Sequence, residues 1–159
     1  GTIAHILDLR NNSGGLLEES ITVASQFLDG GIVTYEVSQT AEQAHAASEG
    51  GLATEQPIVV LVNRRTASAS ELVAGAIRDR DRGILIGQTT FGKGTVQQIF
   101  TLSDGSSVHV TSSEWFTPNR TPLSGIGLTP NIEMIPDENG RDVELGEAIR
   151  YLQDNVVQG

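Results

Sequence analysis

The sequence contains no cysteine among its 159 residues. Disulfides, thiolate nucleophiles and zinc–thiolate sites are therefore excluded, although the absence fits any redox compartment. Aromatic residues make up only 4% of the chain, so valine, isoleucine, leucine and alanine must fill the core. The hydrophobic fraction of 38% is that of a globular protein, and the length fits a single domain spanning residues 1–159.

Basic residues are also scarce, and the formal net charge is -10. Such an acidic surface argues against nucleic acid and anionic membranes as partners. No apolar run approaches the roughly 20 residues of a membrane-spanning helix, and no signal peptide is visible. The chain opens inside a strand-like pattern at residues 2–9, without a leader or a cap, so we expect a fragment of a longer protein.

Hydrophobic periodicity predicts an α/β fold. Strands are expected at residues 2–9, 32–37, 57–62, 84–86, 95–102, 107–115 and 132–135, and helices at residues 16–28, 69–81 and 142–155. Asp104 and Gly105 predict a hairpin turn. Residues 38–56 have no clear period, and we expect a surface loop there with a short helix around residues 41–47.

One pattern occurs twice: a strand, a polar loop and a helix. The first copy carries Gly14 and Gly15 in its loop, and the second carries Ser68. If the two strands lie parallel in one sheet, both loops leave its carboxyl edge, where open α/β sheets place their sites. Gly14 and Ser68 are then expected to be neighbours in space.

Ser68 has two interpretations, a helix cap and a nucleophile. A serine hydroxyl needs a base to take its proton, and histidine is the usual one. The chain has three histidines, His5, His45 and His109. Two of them fall in predicted strands and one in the unpatterned loop, so each is interpreted as a packed or solvated side chain.

Lysine is the other known partner of a catalytic serine, and Lys93 is the only lysine in the chain. A lysine acts as a base when burial lowers its pKa; the alternative is a solvated side chain at a loop tip. Residues 87–94 also match a phosphate-binding loop pattern, but Gly94 stands where serine or threonine is required and a strand follows. Nucleotide binding is therefore not expected.

Four segments together resemble the carboxyl-terminal processing peptidases, the tail-specific serine proteases of the S41 type. They are residues 9–15 (LRNNSGG), 62–71 (VNRRTASASE), 87–97 (GQTTFGKGTVQ) and 125–132 (GIGLTPNI). Each motif alone is weak, whereas four in order along nearly the whole chain are specific. The resemblance implies an α/β core of the ClpP/crotonase-like spiral type.

The resemblance also implies a Ser–Lys dyad. Ser68 matches the nucleophile, Lys93 the base and Gln97 the residue that holds the lysine. Gly14, with the backbone N–H of Ala69, matches the oxyanion hole. No metal and no cofactor are implied.

Other residues near these motifs are assigned structural roles. Asp79 lies eleven residues beyond Ser68 on the same predicted helix, about 16 Å away, so a buried ion pair is expected rather than catalysis. Glu71 is interpreted as a charge in the first turn of the helix. Arg64 and Arg65 are either solvated or placed to meet a substrate carboxylate, and the solvated interpretation is preferred because exposed charges are the common case. Ser13 stands where family members carry proline, a change that affects loop stiffness more than chemistry.

The function implied is that of a serine endopeptidase that cleaves proteins near their C-terminus through an acyl-enzyme intermediate. Its partners would be proteins or peptides with accessible C-termini, with homo-oligomers permitted, outside the cytoplasm in a bacterial periplasm or cell envelope or a thylakoid lumen. The family's peptide-binding PDZ module is absent from this sequence. Two alternatives stay open: a non-catalytic ligand- or peptide-binding module on the same fold, and an inactive isolated fragment of the protease.

Overall fold

A computed structural model describes residues 3–156 of the chain. The part of the first predicted strand at Thr2 lies outside the described residues. Eight strands and three helices follow in order: β1 His5–Asp8, α1 Leu17–Phe27, β2 Ile32–Ser38, β3 Glu42–Ala46, β4 Ile58–Val62, α2 Ala69–Asp79, β5 Ile84–Gly87, β6 Thr95–Thr101, β7 Ser107–Phe116, β8 Ile132–Glu133 and α3 Val143–Val156.

The strands form two four-stranded sheets. The first has the order β1-β4-β5-β8, and every neighbouring pair in it is parallel. The second has the order β3-β2-β7-β6, and its pairs are antiparallel. Parallel strands need crossover connections, which α1 and α2 supply, and this explains why strands and helices alternate in the first half of the chain.

The parallel sheet lies at the centre of the core because helices cover both of its faces. All five residues of β4 are buried, the apolar run typical of a central parallel strand. Val60 and Val62 pack towards α2 beside Val73 and Ile77. On the other face, Val59 and Leu61 cluster with Ala148 and Leu152 of α3.

The antiparallel sheet corrects one prediction from the sequence. Residues 41–47 do not form a helix, because β3 pairs with β2 as an edge strand. Alanine, glutamate and glutamine favour helices, but pairing with a neighbouring strand outweighs such weak propensities. Two contacts hold the strand: Arg120 forms an ion pair with Glu42, and the His45 ring meets Trp115 edge-on.

The other predicted elements are confirmed to within a few residues at their ends. The hairpin turn is also confirmed: Gly105 has a φ of 85°, and its N–H donates to the carbonyl of Leu102 at 3.0 Å. The mixed α/β architecture is therefore the one that the sequence predicts.

Candidate active site

The loops that follow β1 and β4 leave the same edge of the parallel sheet. The two strands pair in parallel, from His5 opposite Ile58 to Asp8 opposite Leu61. Beyond the strand ends, the buried hydroxyl of Thr66 donates to the carbonyl of Leu9 at 2.8 Å. The two loops are therefore fixed to each other by a hydrogen bond shielded from water.

Asparagine side chains extend this contact between the loops. The N–H of Asn11 donates to Oδ1 of Asn63 at 3.0 Å, and Nδ2 of Asn63 donates back to Oδ1 of Asn11 at 3.1 Å. The N–H of Ala67 donates to the carbonyl of Asn12 at 3.0 Å. The conformation of residues 10–15 therefore depends on the segment that carries Ser68.

Gly14 lies directly against Ser68, as the repeated pattern in the sequence predicts. A Cβ at Gly14 would lie 2.8 Å from Ser68 Cβ, 2.9 Å from the nitrogen of Ala69 and 2.7 Å from the carbonyl oxygen of Ala67. Its φ of 100° is also one that side chains rarely adopt. Only glycine fits this position without displacing the start of α2. In this conformation the Gly14 N–H donates to Oδ1 of Asn12 at 2.9 Å.

Ser68 occupies a strained turn between the buried strand and α2. Its φ is 56° and its ψ is -125°, a conformation rare for a residue with a side chain. The turn ends in the first residue of α2, Ala69, at a helix terminus where backbone N–H groups lack partners within the helix. The N–H groups of Ser70 and Glu71 donate to the carbonyls of Ala67 and Ser68. Among the described residues, the N–H of Ala69 is therefore the donor of this first turn that has no hydrogen bond.

A recess of about 140 Å³ adjoins this point. Gly14 and Ala69 line one side of it, and apolar side chains form most of its wall. These are Leu9, Leu16, Val23 and Val73. The recess is thus suited to an apolar group held beside Ser68.

Glu71 lies in the first turn of α2, as predicted, but its contacts extend well beyond the helix. It is not merely a charge in the first turn of α2, because its side chain is fully buried. Oε2 accepts from the backbone N–H of Ser68 at 2.8 Å and from that of Lys93 at 2.9 Å. Oε1 accepts from the hydroxyl of Thr90 at 2.5 Å and from the N–H of Gly92 at 2.8 Å. The only signal in the sequence was its place three residues after Ser68, which equally fits a helix cap.

The loop between β5 and β6 packs against residues 123–128. The N–H of Leu128 donates to the Thr90 hydroxyl at 2.7 Å, and the N–H of Gly125 donates to the carbonyl of Gly92 at 2.9 Å. A Cβ at Gly127 would lie 2.4 Å from the carbonyl oxygen of Thr90. The glycines in residues 87–97 and 125–132 therefore allow the backbones of these two segments to pack closely.

Lys93 and Gln97 lie at the surface, the first in the loop between β5 and β6 and the second on β6. Lys93 is exposed, and within residues 3–156 its ammonium makes no hydrogen bond or ion pair. Gln97 is exposed on β6, opposite Thr111. The fold thus brings Gly14, Ser68 and Ala69 together. Lys93 is connected to them only by the hydrogen bond of its backbone N–H to Glu71.

The remaining candidates lie outside this cluster. Asp79 has only 4% of its side chain exposed, pairs with Arg78 at 2.8 Å, and accepts from the N–H of Asn119 at 3.1 Å. These contacts fit the structural role expected from the sequence. Arg64 and Arg65 are exposed, as predicted.

The histidines have other neighbours than Ser68. The His5 ring meets Phe27 edge-on, and Nε2 of His45 lies 3.3 Å from Glu36. His109 contacts the hydroxyl of Ser107. These contacts agree with the interpretation of all three as packed or solvated.

An ionic cluster also lies at the carboxyl edge of the sheet. Arg10 donates to Asp8 and Asp142, and so connects the end of β1 to α3. The hydrogen bond from Arg10 lowers the pKa of Asp8 and that of Asp142 below the ordinary value of 3.8. The two carboxylates in turn raise the pKa of Arg10. The cluster fixes the segment that leads into the Gly14 loop.

Two further kinds of site can be considered for the described residues. Between residues 3 and 156, no three His, Asp or Glu side chains are grouped so as to hold a metal ion. In the same part of the chain, none of the helices has the length and apolar character that crossing a bilayer requires.

The sequence and the fold were compared with those of known proteins. The model of "Peptidase family S41" matches residues 2–134. A carboxyl-terminal-processing protease of Synechocystis sp. is 44% identical over 131 residues, which are 82% of this chain and 31% of that protein. A chloroplastic C-terminal processing peptidase of Tetradesmus obliquus is 41% identical over 145 residues, which are 91% of this chain and 31% of that protein.

A solved structure gives the same result for the fold. A photosystem II D1 C-terminal processing protease superposes with a TM-score of 0.80 at 38% identity, covering 88% of this chain and 38% of that one. The ClpP/crotonase-like class expected from the motifs is therefore confirmed. The chain spans about a third of the length of these relatives.

Proposed function

The chain belongs to peptidase family S41, and we propose that it is the catalytic core of a serine endopeptidase that cleaves proteins near their C-terminus. The observation that carries this proposal is the packing of Gly14 against Ser68 and the nitrogen of Ala69. It supports a nucleophile that lies next to the backbone N–H of Ala69, the first residue of a helix. Such donors stabilise the negative oxygen of an acyl-transfer transition state, typically by about 3 kcal/mol each.

The proposed reaction has two stages. Ser68 Oγ bonds to the substrate carbonyl carbon while its proton passes to the neutral amine of Lys93. The oxyanion is held by the N–H of Ala69 and by that of Gly14, which exchanges its hydrogen bond to Asn12 Oδ1 for one to the oxyanion. The C–N bond breaks, and Lys93 returns the proton to the leaving amine. Water then hydrolyses the ester with Lys93 again as base, which regenerates Ser68.

The exposed ammonium of Lys93 must turn towards Ser68 for this reaction. Its backbone N–H is anchored to Glu71, and in this proposal the side chain rotates about that anchor. A substrate that covers the ammonium with apolar groups favours the neutral amine. Gln97 lies four residues further on, at the start of β6, and in this proposal it orients the amine.

The substrate is proposed to be a protein or peptide with an accessible C-terminus. The recess lined by Leu16, Val23 and Val73 would receive an apolar side chain next to the bond that breaks. An extracytoplasmic location, bacterial or in the thylakoid lumen, is proposed with it.

Substitution of the nucleophile tests the proposal. In the full-length protein, Ser68→Ala is expected to lower the rate of peptide cleavage by about 10⁴-fold or more. The control is Ser13→Ala, in the exposed part of the Gly14 loop, which should cleave at the original rate. Full activity of the Ser68→Ala protein would refute a serine mechanism.

One observation favours a second candidate for the isolated chain. The exposed Lys93 side chain fits a core in which the dyad is not assembled, so the 159-residue chain alone would be an inactive fragment. A fluorophosphonate probe separates the cases. Labelling of Ser68 in the full-length protein but not in the isolated chain identifies an inactive fragment, whereas labelling of neither favours a binding module on the same fold.

A further inference from the structure

Glu71 connects the two segments that carry the proposed nucleophile and the proposed base. Its carboxylate lies fully buried between the start of α2 and the loop from β5 to β6. Four donors surround its two oxygens: the N–H groups of Ser68, Gly92 and Lys93, and the hydroxyl of Thr90. One donor belongs to the Ser68 turn, and the other three belong to the Lys93 loop.

A single oxygen joins the two proposed catalytic residues. Oε2 accepts from the N–H of Ser68 at 2.8 Å and from the N–H of Lys93 at 2.9 Å. The two backbone nitrogens are thereby held at a fixed separation around one atom. Because each side chain is attached to its own backbone, these two hydrogen bonds fix the positions from which the Ser68 and Lys93 side chains extend.

A carboxylate is the group that this position requires. All four neighbours are donors, and an ionised carboxylate is the side chain that only accepts hydrogen bonds. An amide would turn an NH₂ group towards two of these donors and lose both bonds. Bonds to a charged acceptor are also stronger than bonds between neutral groups.

Thr90 extends the support to a third segment. Its hydroxyl donates to Oε1 of Glu71 and accepts from the N–H of Leu128, and its own N–H donates to the carbonyl of Leu128 at 3.1 Å. Residues 123–128 thus hold the same loop from the far side. Thr90 is buried, so these bonds do not exchange readily with water.

We propose that Glu71 is a positioning residue for acyl transfer, which sets the distance between Ser68 and Lys93 by binding both backbones. It does not touch the reacting atoms, and because it binds only the backbone N–H of Lys93, the neutral side-chain amine can still accept a proton. A role in capping α2 alone would need only the bond from Ser68, whereas three of the four bonds come from the other loop. This inference rests on the proposed function and adds to it the carboxylate that aligns Ser68 with Lys93.

Glu71→Gln in the full-length protein tests the proposal. The variant keeps the size of the side chain but loses the contacts made by one oxygen. Since a misplacement of about 1 Å costs about 100-fold in rate, the acylation rate constant of Ser68 with a saturating fluorophosphonate probe should fall by about that factor. For a peptide substrate, kcat should fall with it, while KM stays within about twofold because the recess is unchanged.

The matched control is Glu36→Gln. Glu36 is a partly buried carboxylate on β2 that accepts from Ser113 and lies 3.3 Å from His45, in the other sheet. It should leave the acylation rate unchanged. Acylation of folded Glu71→Gln within about threefold of this control, or an equal loss of kcat and rise of KM, overturns the proposal.

A pair of variants at Thr90 keeps the test decisive if Glu71→Gln does not fold. Thr90→Val removes the donor to Oε1 and should lower acylation about tenfold, whereas Thr90→Ser keeps the hydroxyl and should restore the original rate. Equal rates in both Thr90 variants contradict the proposal. Ser68→Ala separates a failure of the proposed function from a failure of the positioning role. If Ser68→Ala stays fully active, the proposed function fails. If Ser68→Ala is inactive but Glu71→Gln is fully active, only the positioning role of Glu71 fails.

Discussion

The two sheets of this protein differ in how completely they are covered. In the parallel sheet, α2 and α3 bury β4 on both faces. In the antiparallel sheet, the hairpin of β6 and β7 carries apolar side chains that are about half exposed. These are Ile99, Phe100, Val108 and Val110.

The proposed catalytic residues are divided between these regions. Ser68 and Gly14 follow strands of the covered sheet, and the core packing fixes their backbones. Lys93 lies on the loop that leads from the covered sheet into β6, and its side chain is exposed. The backbone of the proposed nucleophile is therefore held by core packing and by Glu71, whereas that of the proposed base depends on the hydrogen bonds between its loop and Glu71.

Among the effects that test this comparison of the two regions, the largest should come from a methyl group at Gly14. Gly14→Ala would place Cβ 2.8 Å from Ser68 Cβ and 2.9 Å from the nitrogen of Ala69, so one of the two proposed oxyanion donors must move. Loss of such a donor costs about 10²–10³ in kcat. Gly15→Ala is the control, since a Cβ there meets nothing within 4 Å. Equal peptide cleavage rates in the two variants would show that the Gly14 loop adapts freely.

The difference in coverage predicts a difference in stability. Leu61→Ala removes a fully buried side chain from β4 and should lower the free energy of unfolding by about 2–5 kcal/mol. Leu102→Ala, just after β6, removes a side chain that is 46% exposed and should change it by about 0.5 kcal/mol or less. Urea unfolding measures both. Similar losses would mean that the hairpin is packed more tightly than its exposure indicates.

A smaller effect is expected from the buried hydrogen bond between the site loops. Thr66→Val removes the hydroxyl that donates to the carbonyl of Leu9 and accepts from the N–H of Asn63. Leaving these groups unpaired should cost about 1–3 kcal/mol. Ser106→Ala breaks a bond in the exposed turn of the other sheet and should cost less. Urea unfolding measures the loss of stability in both variants. A larger loss for Ser106→Ala than for Thr66→Val would contradict the prediction.

The smallest effect depends on pH. Arg10 lowers the pKa of Asp8 and Asp142 in the folded state, so their contribution is fully present above the unfolded value of about 3.9 and is lost as the pH falls through the lower folded-state pKa. The side chains are 48% and 43% exposed, so screening limits the contribution to about 1 kcal/mol. Arg10→Gln should therefore destabilise at neutral pH and match the original protein at about pH 2. If the difference in free energy of unfolding between the two proteins stays constant with pH, Arg10 stabilises the fold through packing and not through its ion pairs.

Most of the elements could be predicted from the sequence because their signals are local. The run at residues 58–62 predicts a buried strand, and the spacing of apolar residues predicts α1, α2 and α3. The strand at Glu42–Ala46 could not be predicted, since its composition favours a helix and only its pairing with β2 makes it a strand. That pairing depends on residues brought close by the rest of the fold.

The site shows the same limit. The proximity of Gly14 and Ser68 follows from two parallel strands with equivalent loops, which the pattern at residues 6–15 and 59–68 indicates. The role of Glu71 could not be predicted, because its partners at Thr90, Gly92 and Lys93 lie about twenty residues away. A hydrogen bond between loops leaves no periodic signal in the sequence. The catalytic roles of Ser68 and Lys93 stay predictions for the variants above to test.

At Ser68, the backbone conformation that the proposed nucleophile adopts lowers the stability of the fold. Its φ of 56° is unfavourable for any residue with a Cβ, and such conformations cost of order 1–3 kcal/mol. Ser68→Ala keeps that cost, whereas Ser68→Gly should relieve it and yield an inactive protein that unfolds at a higher temperature. A glycine would be the more stable choice at this φ, so the serine fits the proposed role, in which its hydroxyl is required.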